Sequence, residues 1–241
     1  MSRYALYFAP SATSHWWQAG SQWLGRDAVS DVMLEQPCIA GIAPENFSRL
    51  TANARRYGFH ATLKAPFRLL NGSDRTQLLG QVQAFAKAQT PVPLGRVEVQ
   101  EFGDFLALGQ AEPLTAVAAL AQHCVEYFDT LRAPPDHAEL QRRRQAKLNP
   151  RHEALLQRWG YPYTEEAFRF HMTLTDSMAA LDSTARHLLL AAAIDHFAGI
   201  KALKHPAIDS IAVFVEPAPG APLTVLAHYA LTGAGSGTTL F

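Results

Sequence analysis

The sequence predicts a mixed fold, α+β or α/β, on three observations. Strand-like and helix-like stretches alternate along the chain. Gly103-Asp104 separates two strand candidates in the manner of a hairpin. The second half then repeats an order, strand, helix, strand, strand, already present in residues 58–110.

Residues 3–10 read as a strand stopped by Pro10, and Ser14 is placed to cap a helix carrying Trp16, Trp17 and Trp23. Residues 26–56 show little periodicity, with a short helix over 45–53. A strand follows over 58–69. Asn71-Gly72 marks a turn, and Ser73 or Asp74 caps a helix to about residue 89, where Leu78, Leu79, Val82, Phe85 and Ala86 recur at helical spacing. Strands are expected over 95–102 and 105–110, then a helix opened by Pro113 and running to about residue 131.

Ala133-Pro134-Pro135 breaks the chain. A charged helix is expected over 136–159, with an interruption at Asn149-Pro150, and Gly160-Tyr161-Pro162 ends it. Residues 168–177 form a strand, Asp182 caps a helix to about residue 197, and residues 208–215 and 223–231 close the fold as an antiparallel pair. Residues 234–241 are expected to be a flexible tail.

An apolar share of 48% in 241 residues is ample for a real core. Lys plus Arg and Asp plus Glu balance at 21 each, so no overall field favours nucleic acid or an anionic membrane, and any anion site must be local. Cys38 and Cys124 match no metal-ligand spacing and no disulfide framework, which suits a reducing cytoplasm. No signal peptide is read at the start, and no stretch approaches about eighteen uninterrupted apolar residues. A soluble, cytoplasmic protein is expected.

The chemistry concentrates in YGFHATLKAPF, residues 57–67. Side chains of an extended strand alternate, so His60, Thr62 and Lys64 would share one face while Phe59, Ala61, Leu63 and Ala65 share the other. FRFHMTL, residues 168–174, repeats the pattern of aromatic, histidine, any residue, threonine, leucine. There Arg169, His171, Thr173 and Thr175 would share a face. Of the ten histidines only His60 and His171 have Ser or Thr two places on, one in each half of the chain.

Two imidazoles suit the in-line opening of a cyclic phosphodiester. One takes a proton from water and the other protonates the leaving oxygen, both at neutral pH because histidine titrates at about 6.5. Thr62 and Thr173 can donate to the nonbridging oxygens, whose charge grows at five-coordinate phosphorus. Lys64 and Arg169 would add fixed positive charge, and no metal or other cofactor is needed. Tyr57, Tyr161 and Tyr163 flank the motifs and either stack on a sugar or base or, for at least two of them, serve in packing, with Thr175 on the same strand face as His171. The basic run Arg142, Arg143, Arg144, Lys147, Arg151 is either a solvated helix face or an anion-gathering lid.

HATL and HMTL resemble the signature of the two-histidine (2H) phosphoesterase superfamily, which includes cyclic nucleotide phosphodiesterases and RNA 2',3'-cyclic phosphate enzymes. RYALYFAP, RRYGFHATLKAPFRL, GYPY, FRFHMTLT and VFVEPAPGAP resemble, in order, a bacterial family of phosphonate-metabolism proteins often encoded beside carbon-phosphorus lyase genes. That likeness spans nearly the whole chain. It implies an α+β fold in a single bilobal unit: two pseudo-symmetric lobes whose antiparallel sheets form a central cleft, with one His-x-Thr motif from each. It carries His60, Thr62, His171 and Thr173 onto the superfamily's catalytic positions.

The expectation is therefore a metal-independent cyclic phosphodiesterase acting on a small-molecule phosphoester. The phosphonate setting points to a ribose cyclic phosphate such as 5-phosphoribosyl 1,2-cyclic phosphate. An RNA-end enzyme and a non-catalytic phosphate-ligand binding protein are the alternatives. The first is disfavoured by the absence of a long basic stripe. One chain carries both motifs, so a monomer suffices for the site.

Overall fold

β1 (Arg3–Phe8) lies inside the sheet, with a strand on each side and Ala5 to Phe8 almost wholly buried. Burial on both faces explains why this stretch reads as a continuous apolar run without alternation. The computed structural model describes residues 2–145, 147–200, 203 and 206–234. After β1 come α1 (His15–Leu24), the small hairpin β2 (Arg26–Asp27) and β3 (Val32–Met33), α2 (Pro44–Leu50), α3 (Ala52–Tyr57) and β4 (Ala61–Phe67). The chain continues through α4 (Arg75–Ala88), β5 (Val92–Pro93), β6 (Val97–Phe102), β7 (Phe105–Gln110) and α5 (Thr115–Tyr127). It closes with α6 (His137–Arg144), α7 (Pro150–Trp159), β8 (His171–Thr173), α8 (Ser183–Ala198), β9 (Ala207–Ile208), β10 (Ser210–Glu216) and β11 (Thr224–Ala230).

The caps are those the side chains dictate. Ser14 Oγ accepts from Trp17 N at 3.1 Å, Asp74 from Gln77 N at 2.8 Å, Asn149 from His152 N at 2.7 Å and Asp182 from Ala185 N at 2.8 Å. The helix expected over 136–159 is two, parted where Asn149 caps and Pro150 opens α7. The single helix expected over 45–53 is also two, because Thr51 takes a non-helical conformation between α2 and α3. The start of α3 is capped from far away: the Asp176 carboxylate accepts from Asn53 N at 2.8 Å and Ala54 N at 3.0 Å.

Seven strands form one sheet in the order β11-β10-β1-β4-β8-β7-β6, each neighbouring pair antiparallel. The fold is mixed α and β built on antiparallel strands, the coarse class expected from the sequence. The sheet is continuous across the seam between β4 and β8, where Ala61 pairs with Met172. The aromatic core lies against it: Trp17, Trp23, Phe47, Phe59 and Phe214 are at most 2% exposed, and Trp23 Nε1 donates to Leu174 O at 2.9 Å. Among the described residues no helix is long and apolar enough to cross a membrane. The expected tail falls, apart from Ala234, outside the described residues.

Candidate active site

The seam brings the two motifs together. An antiparallel pair centred on Ala61 and Met172 sets Thr62 opposite His171 and His60 opposite Thr173. The same local device orients both imidazoles. His60 Nδ1 lies 2.8 Å from Gly58 O, and His171 Nδ1 lies 2.8 Å from Arg169 O. A carbonyl only accepts, so each Nδ1 carries the hydrogen and in the neutral ring Nε2 is the acceptor. Thr62 Oγ1 lies 3.3 Å from His60 Nε2, close enough to donate to it.

Burial disfavours the charged form of both rings. Burial pushes His60 down to about 4, against the bond to the Gly58 carbonyl, and the neighbouring His171 pushes the same way. Burial also lowers His171, opposed by the Arg169 carbonyl. The cover differs on the two sides. The Tyr7 ring stacks on His60 at 3.7 Å between centroids and 19° between planes, whereas His171 sits against Phe102 and Phe105 at 5.5 and 5.8 Å.

Two cavities meet at Thr62, Tyr161 and His171. One, of about 220 Å³, is polar and holds His60 and Thr173 together with Arg3, Tyr7, Asn53, Tyr57, Arg142 and Arg143. Behind it the buried Glu216 carboxylate takes bonds from Arg3 Nε, from Arg56 at 3.0 Å and from Gly220 N at 2.9 Å. Arg56 stacks over Tyr57 at 4.1 Å. The other cavity, of about 440 Å³, is mainly apolar, with Phe102, Phe105, Phe168, Tyr161 and Tyr163 in its lining beside Gln122, Glu165 and Arg169.

The structure thus gathers His60, Thr62, His171, Thr173, Tyr57, Tyr163 and Arg169 around one cleft, and leaves Lys64 and Thr175 out. Lys64 is a correction with a clear cause. Tyr7 pairs with Thr62 but Leu6 pairs with Lys64, so Leu63 is an extra residue, a bulge in β4. Consecutive residues of β1 face opposite ways, and the side chains of Thr62 and Lys64 part with them. Lys64 Nζ instead donates to Val125 O at 2.8 Å and Asp129 Oδ1 at 3.2 Å. Burial lowers its pKa, opposed by Asp129. Thr175 is fully buried and its hydroxyl accepts from Leu106 N at 2.9 Å. Leu174 N and Thr175 N both turn to Leu106 O, so strand parity ends before it.

The Arg169 guanidinium is tethered, donating to Glu166 O at 2.9 Å and Phe168 O at 2.7 Å. Sequence reasoning missed Arg3 and Tyr7. They are four apart on β1 and so share a face, but their place beside His60 depends on β1 pairing with β4. The run containing Arg142 and Arg143 was visible as charge, and its address in the cleft was not.

An α+β protein with a paired-histidine cleft at the centre of an antiparallel sheet is the class that fold and site define. Residues 62–224 match the family described as "Protein of unknown function (DUF1045)", and the chain belongs to that family. It is 49% identical over 240 residues to a protein of Janthinobacterium sp. (strain Marseille) named "Ribose 1,5-bisphosphate phosphokinase PhnN", a match covering 100% of this chain and 53% of that protein. A protein of the same name from Laribacter hongkongensis (strain HLHK9) is 37% identical over 234 residues, covering 97% and 53%. The chain spans about half the length of the curated relatives it matches. These matches agree with the phosphonate-associated family that the longer motifs resemble.

The relatives' names overturn the expected activity. Both are named for a kinase, not for a phosphoric diester hydrolase. The cyclic phosphodiesterase and its RNA-end and ligand-binding alternatives are therefore set aside.

Proposed function

We propose that this chain handles a phosphorylated ribose in a phosphoryl-transfer step of phosphonate metabolism, with His60 and His171 as the acid–base pair at the reacting phosphate. The observation that carries the reading is the seam: two imidazoles, each held through Nδ1 by a carbonyl, sit on neighbouring strands with a threonine across from each, and Thr62 reaches the Nε2 of His60. Moving a phosphoryl group demands that a proton be removed from, or returned to, an oxygen while negative charge is held in place. Neutral imidazoles supply the first requirement and threonine hydroxyls the second. The substrate in the relatives' name supports the ribose part. Ribose 1,5-bisphosphate has two phosphates, and the polar cavity offers the second one Arg142 and Arg143. We further read the sheet as two related halves meeting at the seam, the arrangement that the two-histidine resemblance implies, in one bilobal unit.

Calorimetry with ribose 1,5-bisphosphate tests the reading. Binding is expected in the wild type and to weaken on the order of tenfold when Arg142 and Arg143 are both replaced by alanine. With a phosphoryl donor present, phosphorus NMR is expected to show transfer that falls about a hundredfold or more in His60→Ala and in His171→Ala. A folded protein that binds no ribose phosphate would overturn it.

A further inference from the structure

We infer that Tyr7, Tyr57 and Tyr161 form a sugar subsite, in which their phenol hydroxyls read the free hydroxyls of the ribose ring. All three line the polar cavity of about 220 Å³ that holds His60, Arg142 and Arg143. The Tyr7 ring stacks on His60 at 3.7 Å and Tyr57 lies 6.2 Å from it, centroid to centroid, while the Arg143 guanidinium sits over Tyr161 at 5.0 Å. The tyrosines therefore occupy the ground between the histidine at the reacting phosphate and the arginine offered to the second one. A ribose that carries phosphates at C1 and C5 must put its ring there, with hydroxyls left at C2 and C3.

A second observation points the same way. No hydrogen bond joins any of the three phenol hydroxyls to a group among the described residues. Tyr7 is 1% exposed, yet its hydroxyl oxygen is not among the sealed orphan atoms of the interior, so the little surface it keeps includes that oxygen. Tyr7 pairs with Thr62 across β1 and β4, which sets it on the cleft side of the sheet. Burial, reinforced by the neighbouring Tyr57 and Tyr161, raises the Tyr7 phenol well above its ordinary value, and burial raises Tyr161 to about 12. Both therefore stay protonated and uncharged. A neutral phenol donates one hydrogen bond and accepts others, as a sugar hydroxyl does, whereas a phosphate oxygen is served better by the arginines beside it.

The inference rests on the reading of the cleft as a ribose phosphate site, and the experiment separates the two. Dissociation constants would be measured for ribose 5-phosphate, its 2-deoxy and 3-deoxy analogues, and inorganic phosphate. The variants are Tyr7→Phe, Tyr57→Phe and Tyr161→Phe, each checked for folding by thermal melting. The wild type is expected to bind ribose 5-phosphate on the order of tenfold or more tightly than at least one deoxy analogue, because a site built to bond a hydroxyl rejects the ligand that lacks it. The variants should shrink that ratio and leave the affinity for inorganic phosphate as it was. They should melt no lower than the wild type, since each removes a hydroxyl that no protein group bonds, and a merely structural tyrosine would not behave so. Ratios near one for both analogues, ratios untouched by all three variants, or an equal loss of inorganic phosphate affinity would overturn the sugar subsite. If no ribose phosphate binds at all, the phosphate reading fails. Saturation-transfer NMR with free ribose then decides the subsite alone: a signal that depends on the three hydroxyls would support it, and no signal would overturn it too.

Discussion

The two His-x-Thr motifs hold their imidazoles by the same bond and reach it by different backbones. In the first, the carbonyl belongs to Gly58, at φ 81° and ψ 174°, a region open essentially to glycine alone. In the second it belongs to Arg169, whose φ is not positive. His60 lies under Tyr7 and lines only the arginine-bearing cavity, whereas His171 sits against two phenylalanines and lines both cavities. Thr62 reaches His60 Nε2, and among the described residues no such bond joins Thr173 to His171. Near-symmetry in sequence has produced one chemical pair set in two unlike environments. A site built this way can grip a ligand whose ends differ.

Substitutions at the two carbonyl positions should break the comparison most sharply. A Cβ at Gly58 would stand 2.7 Å from the Ala28 Cβ in a backbone conformation hostile to side chains. Gly58→Ala is expected to cost about 2–4 kcal/mol of stability and to misplace His60. Arg169→Ala, at the equivalent position, should cost less than about 0.5 kcal/mol. Urea denaturation of both measures the difference, and equal losses would remove the distinction.

Lys64→Met comes next. It leaves Val125 O and Asp129 without their buried partner, and about 1–3 kcal/mol of stability should go with it. Ribose phosphate affinity should stay as in the wild type. A large loss of affinity in a folded variant would restore Lys64 to the cleft.

Smaller effects sharpen the contrast between the two rings. Tyr7→Leu uncovers His60 and should raise its pKa from about 4 back toward 6.5, with His171 unmoved; proton NMR of the imidazoles across a pH series reads this directly. The sign for stability follows. Between about pH 6.5 and 4 the unfolded chain takes up a proton that folded His60 refuses, so stability falls as pH drops through that window. His60→Phe should remove most of that slope. A urea midpoint that declines equally in the variant would assign the acid sensitivity elsewhere.

Much of the fold was legible because it is locally determined. The caps at Ser14, Asp74, Asn149 and Asp182, the Gly103-Asp104 hairpin and the β10–β11 pair all follow from side chains within a few residues of one another. Residues 26–56 were not legible, since a two-residue hairpin and two short helices bury too little to impose a period, and α3 takes its cap from Asp176, 122 residues away from Ala54. In the site, the two motifs could be seen as a pair, but their register could not. Strand parity misled at Lys64 because a bulge reverses faces, and at Thr175 because β8 is only three residues long. Arg3 and Tyr7 needed the sheet order itself.

Nitrogen-15 NMR of the imidazole rings during titration with ribose 1,5-bisphosphate at neutral pH tests the central claim most directly. The Nε2 resonances of both His60 and His171 are expected to move together toward their protonated positions as the phosphate arrives, with the histidines outside the cleft still. Saturating ligand that leaves both signals in place, or moves only one, would contradict a paired site at the seam.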